Sequence, residues 1–258
     1  MTSSTPAPPP SPATPPAPAS LTERRKAATR MEIARAAARL FAGRGLRATR
    51  AEDIALAAGV APRTFYRYFA TKEEAVAPLY AAGARRWVEA VREAPPRLSP
   101  PEALEHAVRQ TLTPGVGVSA ASWEWVRTLI RLASTSPALG KVWAEVCHAS
   151  EDALEEVLRG RGAGGGAGPD NVAERAETTA TTATTVPAGS DEPPGRADPT
   201  PRGRFVAAVA SAAVRVAVES WAATDSPPGG PQGPAELALR NLEAVRGMEW
   251  GSGAGTSG

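Results

Sequence analysis

Apolar residues recur every three to four positions through most of this chain, the spacing of one face of an α-helix. Ile33, Ala34, Ala37, Leu40 and Phe41 predict a first helix over 23–43, ended by Gly43 and Gly45. Thr49 and Glu52 fit a capping box that opens a second, short helix, and Gly59 breaks it. Pro62 suits the first turn of a third helix running through Phe69. Thr71 and Glu74 form another capping pair, predicting a fourth helix to about Glu93. Pro78 falls inside that span and is expected to kink it. Ser99, Pro100 and Glu102 open a fifth helix. Residues 119–134 predict a sixth, with Trp123, Val126, Leu129, Ile130 and Ala133 on one side. Ser136 and Pro137 start a seventh, ending near Arg159 and Gly160. The spans 203–223 and 234–248 supply the eighth and ninth. No convincing strand pair interrupts the pattern, so the expected fold class is all-α with about nine helices.

The pattern fails in three places. Residues 1–20 are almost entirely Pro, Ala, Ser and Thr. Residues 161–202 carry Gly runs, Thr repeats and Pro pairs, and 251–258 are mostly Gly and Ser. Such segments bury too little apolar surface to offset their ordering entropy, and disorder is expected there. They hold much of the excess among the 26 prolines and 24 glycines. The remaining chain divides into a head, 21–70, and a body, 71–250, with 161–202 as an insertion.

Charge sharpens that division. The 258-residue chain has a formal net charge of only +2. Residues 21–70 nonetheless hold eleven Lys or Arg against four acids, a surplus of +7, which leaves −5 for the rest. A basic head on an acidic body points to a polyanionic partner for the head. The single cysteine, Cys147, excludes an internal disulfide and any cysteine-based zinc cluster. With only His106 and His148 besides, no metal site and no cofactor are expected. The N-terminus has neither a basic leader nor a long apolar run, and no stretch approaches about 20 consecutive apolar residues. A cytoplasmic chain without a membrane span is the expectation.

The chemistry concentrates in "APRTFYRYFATKEEA", residues 61–75. Only 5% of the chain is aromatic, yet Phe65, Tyr66, Tyr68 and Phe69 lie side by side with Arg63 and Arg67. On a helix beginning at Pro62, Phe65 and Phe69 share a face. They are expected to pack with Leu40, Phe41, Ile54 and Val60 as the core of the head. Arg63, Thr64, Tyr66 and Arg67 then lie toward the other side. Two short helices about the Gly-containing turn "AAGV" form a helix-turn-helix pattern. In that motif the N-terminal end of the second helix enters the DNA major groove. An Arg fork matches O6 and N7 of guanine. Tyr hydroxyls and Lys72 suit phosphate oxygens.

The run "TRAEDIALAAGVAPRTFYRYFATKEEAV" resembles the signature of the TetR family of transcriptional regulators, over roughly 25–80. The resemblance implies an all-helical homodimer of about nine helices, a ligand pocket in the C-terminal part, and double-stranded DNA as partner. It implies phosphate contacts from Thr49, Tyr66, Tyr68 and Lys72, and base-facing positions for Pro62, Arg63, Thr64 and Arg67. Ala61–Pro62 stands where many relatives place a Ser cap, and the insertion is long for the family. Repression is the family's usual mode, with a ligand-independent DNA-binding protein as the alternative.

The body offers less. Trp123, Trp125 and Trp143 either line a ligand cavity or form ordinary bundle core. His106, Trp123, Leu129, Trp143 and Cys147 are the candidate pocket residues for an unknown small-molecule effector, expected to be largely apolar. Cys147 reads more simply as a small packed hydrophobe. The eighth helix, rich in Ala and Val, is too apolar for full exposure. Phe205, Val209 and Val216 on it, with Leu237, Leu242 and Val245 on the ninth, are the candidate dimer interface. No catalytic residue is assigned. An all-α enzyme would need an acid/base pair, metal cluster or phosphate loop that the sequence does not offer.

Overall fold

The computed structural model describes residues 20–116, 122–164 and 200–246. These hold nine α-helices: α1 Leu21–Arg44, α2 Ala51–Ala57, α3 Pro62–Tyr68, α4 Ala77–Glu93, α5 Pro100–Leu112, α6 Ser122–Thr135, α7 Pro137–Gly164, α8 Pro201–Ala222 and α9 Pro234–Ala244. The helix pattern in the sequence is thus met element by element, and the fold is all-α. The calls on 1–19, 165–199 and 251–258 lie outside the described residues. At the edges of the expected insertion, Arg161 to Gly164 extend α7, and Pro201 opens α8. Arg161 is held there because its guanidinium donates to the carbonyls of Ala94 (2.9 Å) and Pro95 (2.7 Å), tying α7 to the α4–α5 connection.

Two starts differ from the expectation. The second helix takes Arg50, not Thr49, as its N-cap, because Asp53 accepts a hydrogen bond from the Arg50 backbone N–H (2.9 Å). After α3 the chain passes through a 3₁₀ turn, Glu74–Val76, before α4 begins at Ala77. Thr71 Oγ1 does accept from the Glu74 N–H (3.2 Å), but that bond caps the 3₁₀ turn. Pro78 therefore lies in the first turn of α4, where its missing N–H has no partner to lose. It kinks nothing. Ser99 and Glu102 form the expected reciprocal cap of α5, with Glu102 accepting from Ser99 N at 2.8 Å.

Two hydrophobic clusters organise the packing. The first runs from Ile33, Phe41, Ile54, Phe65 and Phe69 of the head into Tyr80 of α4, Trp123 and Ile130 of α6, and Trp221 of α8. Head and upper body thus share one apolar continuum. The second fills the far end, where α4, α5, α7, α8 and α9 meet around Trp87, Val91, Leu104 and Leu154. There α8 presents Ala207, Ala210, Ala213 and Ala217, which bury against Ala235 and Ala238 of α9. Small side chains let the two axes approach closely. Asn241 Nδ2 then reaches the Ala213 carbonyl at 2.9 Å. By length and composition α8 passes as a membrane span, but 56% of its apolar window is buried within the fold.

Candidate nucleic-acid interface and buried cavity

The α2–α3 turn is built by backbone hydrogen bonds. Gly59 N–H donates to Leu56 O (3.1 Å) and Val60 N–H to Ala55 O (3.0 Å), a Schellman closure of α2. Gly59 adopts φ +69°, a left-handed conformation that glycine enters without a Cβ penalty. Val60 then packs against the core, where Phe41, Ile54, Phe65 and Phe69 are buried and Leu40 is half-buried. All six expected head-core residues are brought together. Phe65 and Phe69 stand 5.8 Å apart between ring centroids. Phe69 itself leaves the helix as its extended C-cap, and Arg30 of α1 lies 4.9 Å over its ring.

With Phe65 pinned inward, α3 turns its other side outward. Pro62, Arg63, Tyr66 and Arg67 are exposed, and Thr64 and Tyr68 are half-buried. The Tyr66 hydroxyl donates to Glu52 of α2 at 3.1 Å, bracing α3 against α2. That carboxylate acceptor holds the phenol above its ordinary value, so it remains a neutral donor. Arg67 rests 5.3 Å over the Tyr68 ring. Arg44, Arg47 and Arg50 are also exposed around the head.

One expected phosphate contact, Thr49, is corrected, and the half-buried Lys72 is engaged within the head. Thr49 is fully buried, and its hydroxyl donates to the Gly45 carbonyl at 2.9 Å, so it has no surface to offer a duplex. Lys72 folds back on the head. Its ammonium donates to Leu46 O (2.7 Å) and Thr49 O (2.8 Å), joining the α1–α2 loop to the start of the body. Sequence reading found the cation but not those acceptors, which are backbone atoms more than 20 residues away.

In the body, α4, α6, α7 and α8, with the last turn of α5, line a half-open cavity of about 340 Å³. Tyr80, Trp87, Trp123, Leu129, Trp143 and Cys147 are in its wall. Four of the five candidate pocket residues therefore converge. His106 does not, because it lies on α5, which contributes only its last turn through Thr111 and Leu112. Tyr80 and Trp87 went unnoticed beforehand, although the amphipathic stripe of α4 contains both. Tyr80 donates to the Leu129 carbonyl at 2.9 Å, and its ring meets Trp143 edge-on at 5.0 Å. Trp143 Nε1 donates to Glu219 at 2.7 Å. Burial pushes the Cys147 thiol up to about 12.

The candidate dimer residues separate into two groups. Phe205 and Val216 are 58% and 44% exposed, with Val209 half-buried between them, so α8 shows an apolar stripe outward. Leu242 is only 4% exposed and belongs to the protomer's second cluster, a correction caused by the close α8–α9 approach. Leu237 and Val245 are half-buried, and Leu237 packs against both clusters.

Residues 33–77 match the family model for bacterial regulatory proteins of the tetR family, N-terminal part, which spans the second half of α1 through the 3₁₀ turn. Residues 33–77 thus carry the N-terminal signature of the TetR family. The chain is also 36% identical over 92 residues to the HTH-type transcriptional regulator TcmR of Streptomyces glaucescens, covering 36% of this chain. That match spans 41% of the length of TcmR, less than half of the relative. Among solved structures, the chain is similar to FadR of Thermus thermophilus, a TetR-family repressor in complex with lauroyl-CoA. Identity is 22%, with 89% of this chain and 100% of the other covered and a TM-score of 0.46. A TetR-family regulator from Rhodococcus sp. is 17% identical, with 84% and 98% covered and a TM-score of 0.48.

Proposed function

We propose that this chain is a ligand-responsive transcriptional repressor of the TetR family, cytoplasmic and not an enzyme, that binds a palindromic DNA operator as a homodimer. The observation that carries the reading is the two-sidedness of α3. Phe65 is sealed in the core while Arg63, Tyr66 and Arg67 stand exposed on a short helix braced by Glu52. A helix of that kind, behind a tight glycine turn, fits the major groove by its N-terminal end. Arg63 is the base-reading candidate, with Pro62, Thr64 and Arg67 beside it. Tyr66 and Tyr68 carry hydroxyls toward phosphate.

Pairing of two heads is supported by the outward stripe of Phe205, Val209 and Val216, an apolar surface that a second copy would cover by two-fold symmetry. The cavity supports a small effector. Its walls, Tyr80 and Trp123, belong to the same apolar cluster as Phe65 and Ile33, so filling it repacks residues continuous with the head. An effector shifts DNA affinity only through its different affinities for the two states.

Selection of bound fragments from random duplex DNA tests the reading. The expected product is a palindrome, bound at least about 10³-fold more tightly than random sequence. Arg63→Ala should relax preference at one position of each half-site by about 1–3 kcal/mol. Uniform loss of affinity across all sequences would remove Arg63 from the role, and a non-palindromic product would remove the dimer.

A further inference from the structure

The head keeps one negative charge on its outward side. Four acids lie within residues 21–70, and three of them are compensated. Glu23 pairs with Lys26 at 2.9 Å, Glu32 pairs with Arg35, and Asp53 accepts from the Arg50 N–H at the start of α2. Glu52 differs. It is exposed, and among the described residues no cation lies within ion-pair distance of it. Helix α2 itself contains no Lys or Arg. Among the described residues the Glu52 carboxylate meets only the Tyr66 hydroxyl of α3, which donates to Oε1 at 3.1 Å and leaves Oε2 open.

That bond fixes where the carboxylate stands. Tyr66 follows Arg63 by three positions on α3, both are exposed, and residues at that spacing share a helix face. Glu52 is therefore held against the face whose N-terminal end is proposed to enter the major groove. Like charges repel, so an exposed carboxylate beside phosphates weakens binding to any duplex. The cost is offset only where the carboxylate finds a donor. Phosphate oxygens accept, but the N4 amino group of cytosine donates into the major groove, and Glu is a matching acceptor. A fixed carboxylate thus disfavours unrelated sequence and is tolerated where such an amino group faces Oε2. The phenol has a single proton, so while it serves Glu52 it does not serve a phosphate.

We infer that Glu52 is a specificity-determining residue of the reading surface, its Oε2 accepting from a cytosine N4 amino group, with Tyr66 as the positioning residue that fixes the carboxylate. Base reading then extends from α3 to the first turn of α2. The inference rests on the DNA-binding reading above and narrows it: the Tyr66 hydroxyl serves Glu52, and Tyr68 remains the phenol for phosphate.

Selection from random duplex DNA tests it, using the full native chain, Glu52→Ala, Glu52→Gln and Tyr66→Phe. Each protein is then titrated with the selected duplex and with a scrambled one at several salt concentrations. The native chain should select cytosine at one position of each half-site, distinct from the position that Arg63→Ala relaxes. Glu52→Ala should lose about tenfold of that preference, the size of one hydrogen bond to a charged group. It should also bind the scrambled duplex about threefold more tightly at low salt, a gain that screening removes at high salt. Glu52→Gln keeps an acceptor for Tyr66 and removes the charge. It should show the same gain on scrambled DNA, and its preference at that one position should move toward adenine, which Gln pairs bidentately. A purely bracing role predicts a Glu52→Gln variant that matches the native chain in both measurements. Tyr66→Phe should weaken the cytosine preference about threefold, through lost preorganisation, and leave scrambled-duplex affinity unchanged. A uniform loss with shallower salt dependence would return the hydroxyl to phosphate and overturn the Tyr66 assignment. An unchanged motif in Glu52→Ala, or scrambled-duplex affinity that does not rise, overturns the inference while the DNA-binding reading stands. A native chain that selects no motif overturns both.

Discussion

The head and the body answer the same problem, how to bury aromatic rings that bear polar groups, in opposite ways. In the head, three polar side chains around the rings find partners within the chain. Thr49 donates to Gly45, Lys72 to Leu46 and Thr49, and Tyr66 to Glu52. In the body, the buried side-chain atoms without partners among the described residues are Nε1 of Trp87 and Trp123, Nε of Arg127 and Arg161, and Oγ of Ser211. Three of these residues border the cavity. A closed network holds a reading helix in one orientation, since each bond constrains the next. An open one leaves buried polar atoms unmet, at a cost in free energy. The difference separates a part whose polar groups hold one another in place from a part whose wall residues leave some unmet.

The strongest way to break this comparison is Phe65→Ala. Phe65 is fully buried at the centre of the head, and truncating it leaves a void lined by Phe41, Ile54 and Phe69. Stability in urea should fall by about 3–5 kcal/mol. Because the head cluster continues into Tyr80 and Trp123, the tryptophan fluorescence of the body should change in the same transition. Two separated transitions would show that head and body are energetically independent.

Lys72→Met should have a smaller effect. It preserves the aliphatic stem but strands the Leu46 and Thr49 carbonyls, at a cost of about 1–3 kcal/mol in urea unfolding. If Lys72 were chiefly a phosphate contact, the variant would keep its stability and instead flatten the salt dependence of DNA binding by about one unit of slope.

The smallest effect concerns the dryness of the cavity. Burial raises the Cys147 thiol from its model-peptide value of 9.0 to about 12. The unfolded chain therefore releases this proton near pH 9, while the folded chain keeps it to about pH 12. Folded-state stability should decline with rising pH across that window, because the unfolded state binds fewer protons there. Cys147→Ala should remove this part of the slope in urea midpoints measured from pH 8 to 11. Thiol labelling of the native protein at pH 8 should also be slow and should accelerate on denaturation. Prompt native labelling would mean that water already fills the cavity.

The sequence alone determined which residues form helices and which face of each helix is apolar. Periodicity, glycine stops and the Ser99–Glu102 cap are local, and local geometry sufficed for nine helices and for the inward Phe65 and Phe69. It likewise carried the outward Arg63 and Tyr66 and the family signature. Tertiary structure alone decided what each apolar face meets and where each polar atom finds a partner. It buried Thr49, gave the Lys72 ammonium two backbone acceptors, folded Leu242 into the protomer, and left His106 outside a cavity that Tyr80 and Trp87 line. The physical reason is range. A capping bond or a helical stripe is set within a few residues of chain. The acceptors of Lys72 lie 26 and 23 residues away, and a cavity exists only where four helices fail to fill the space between them.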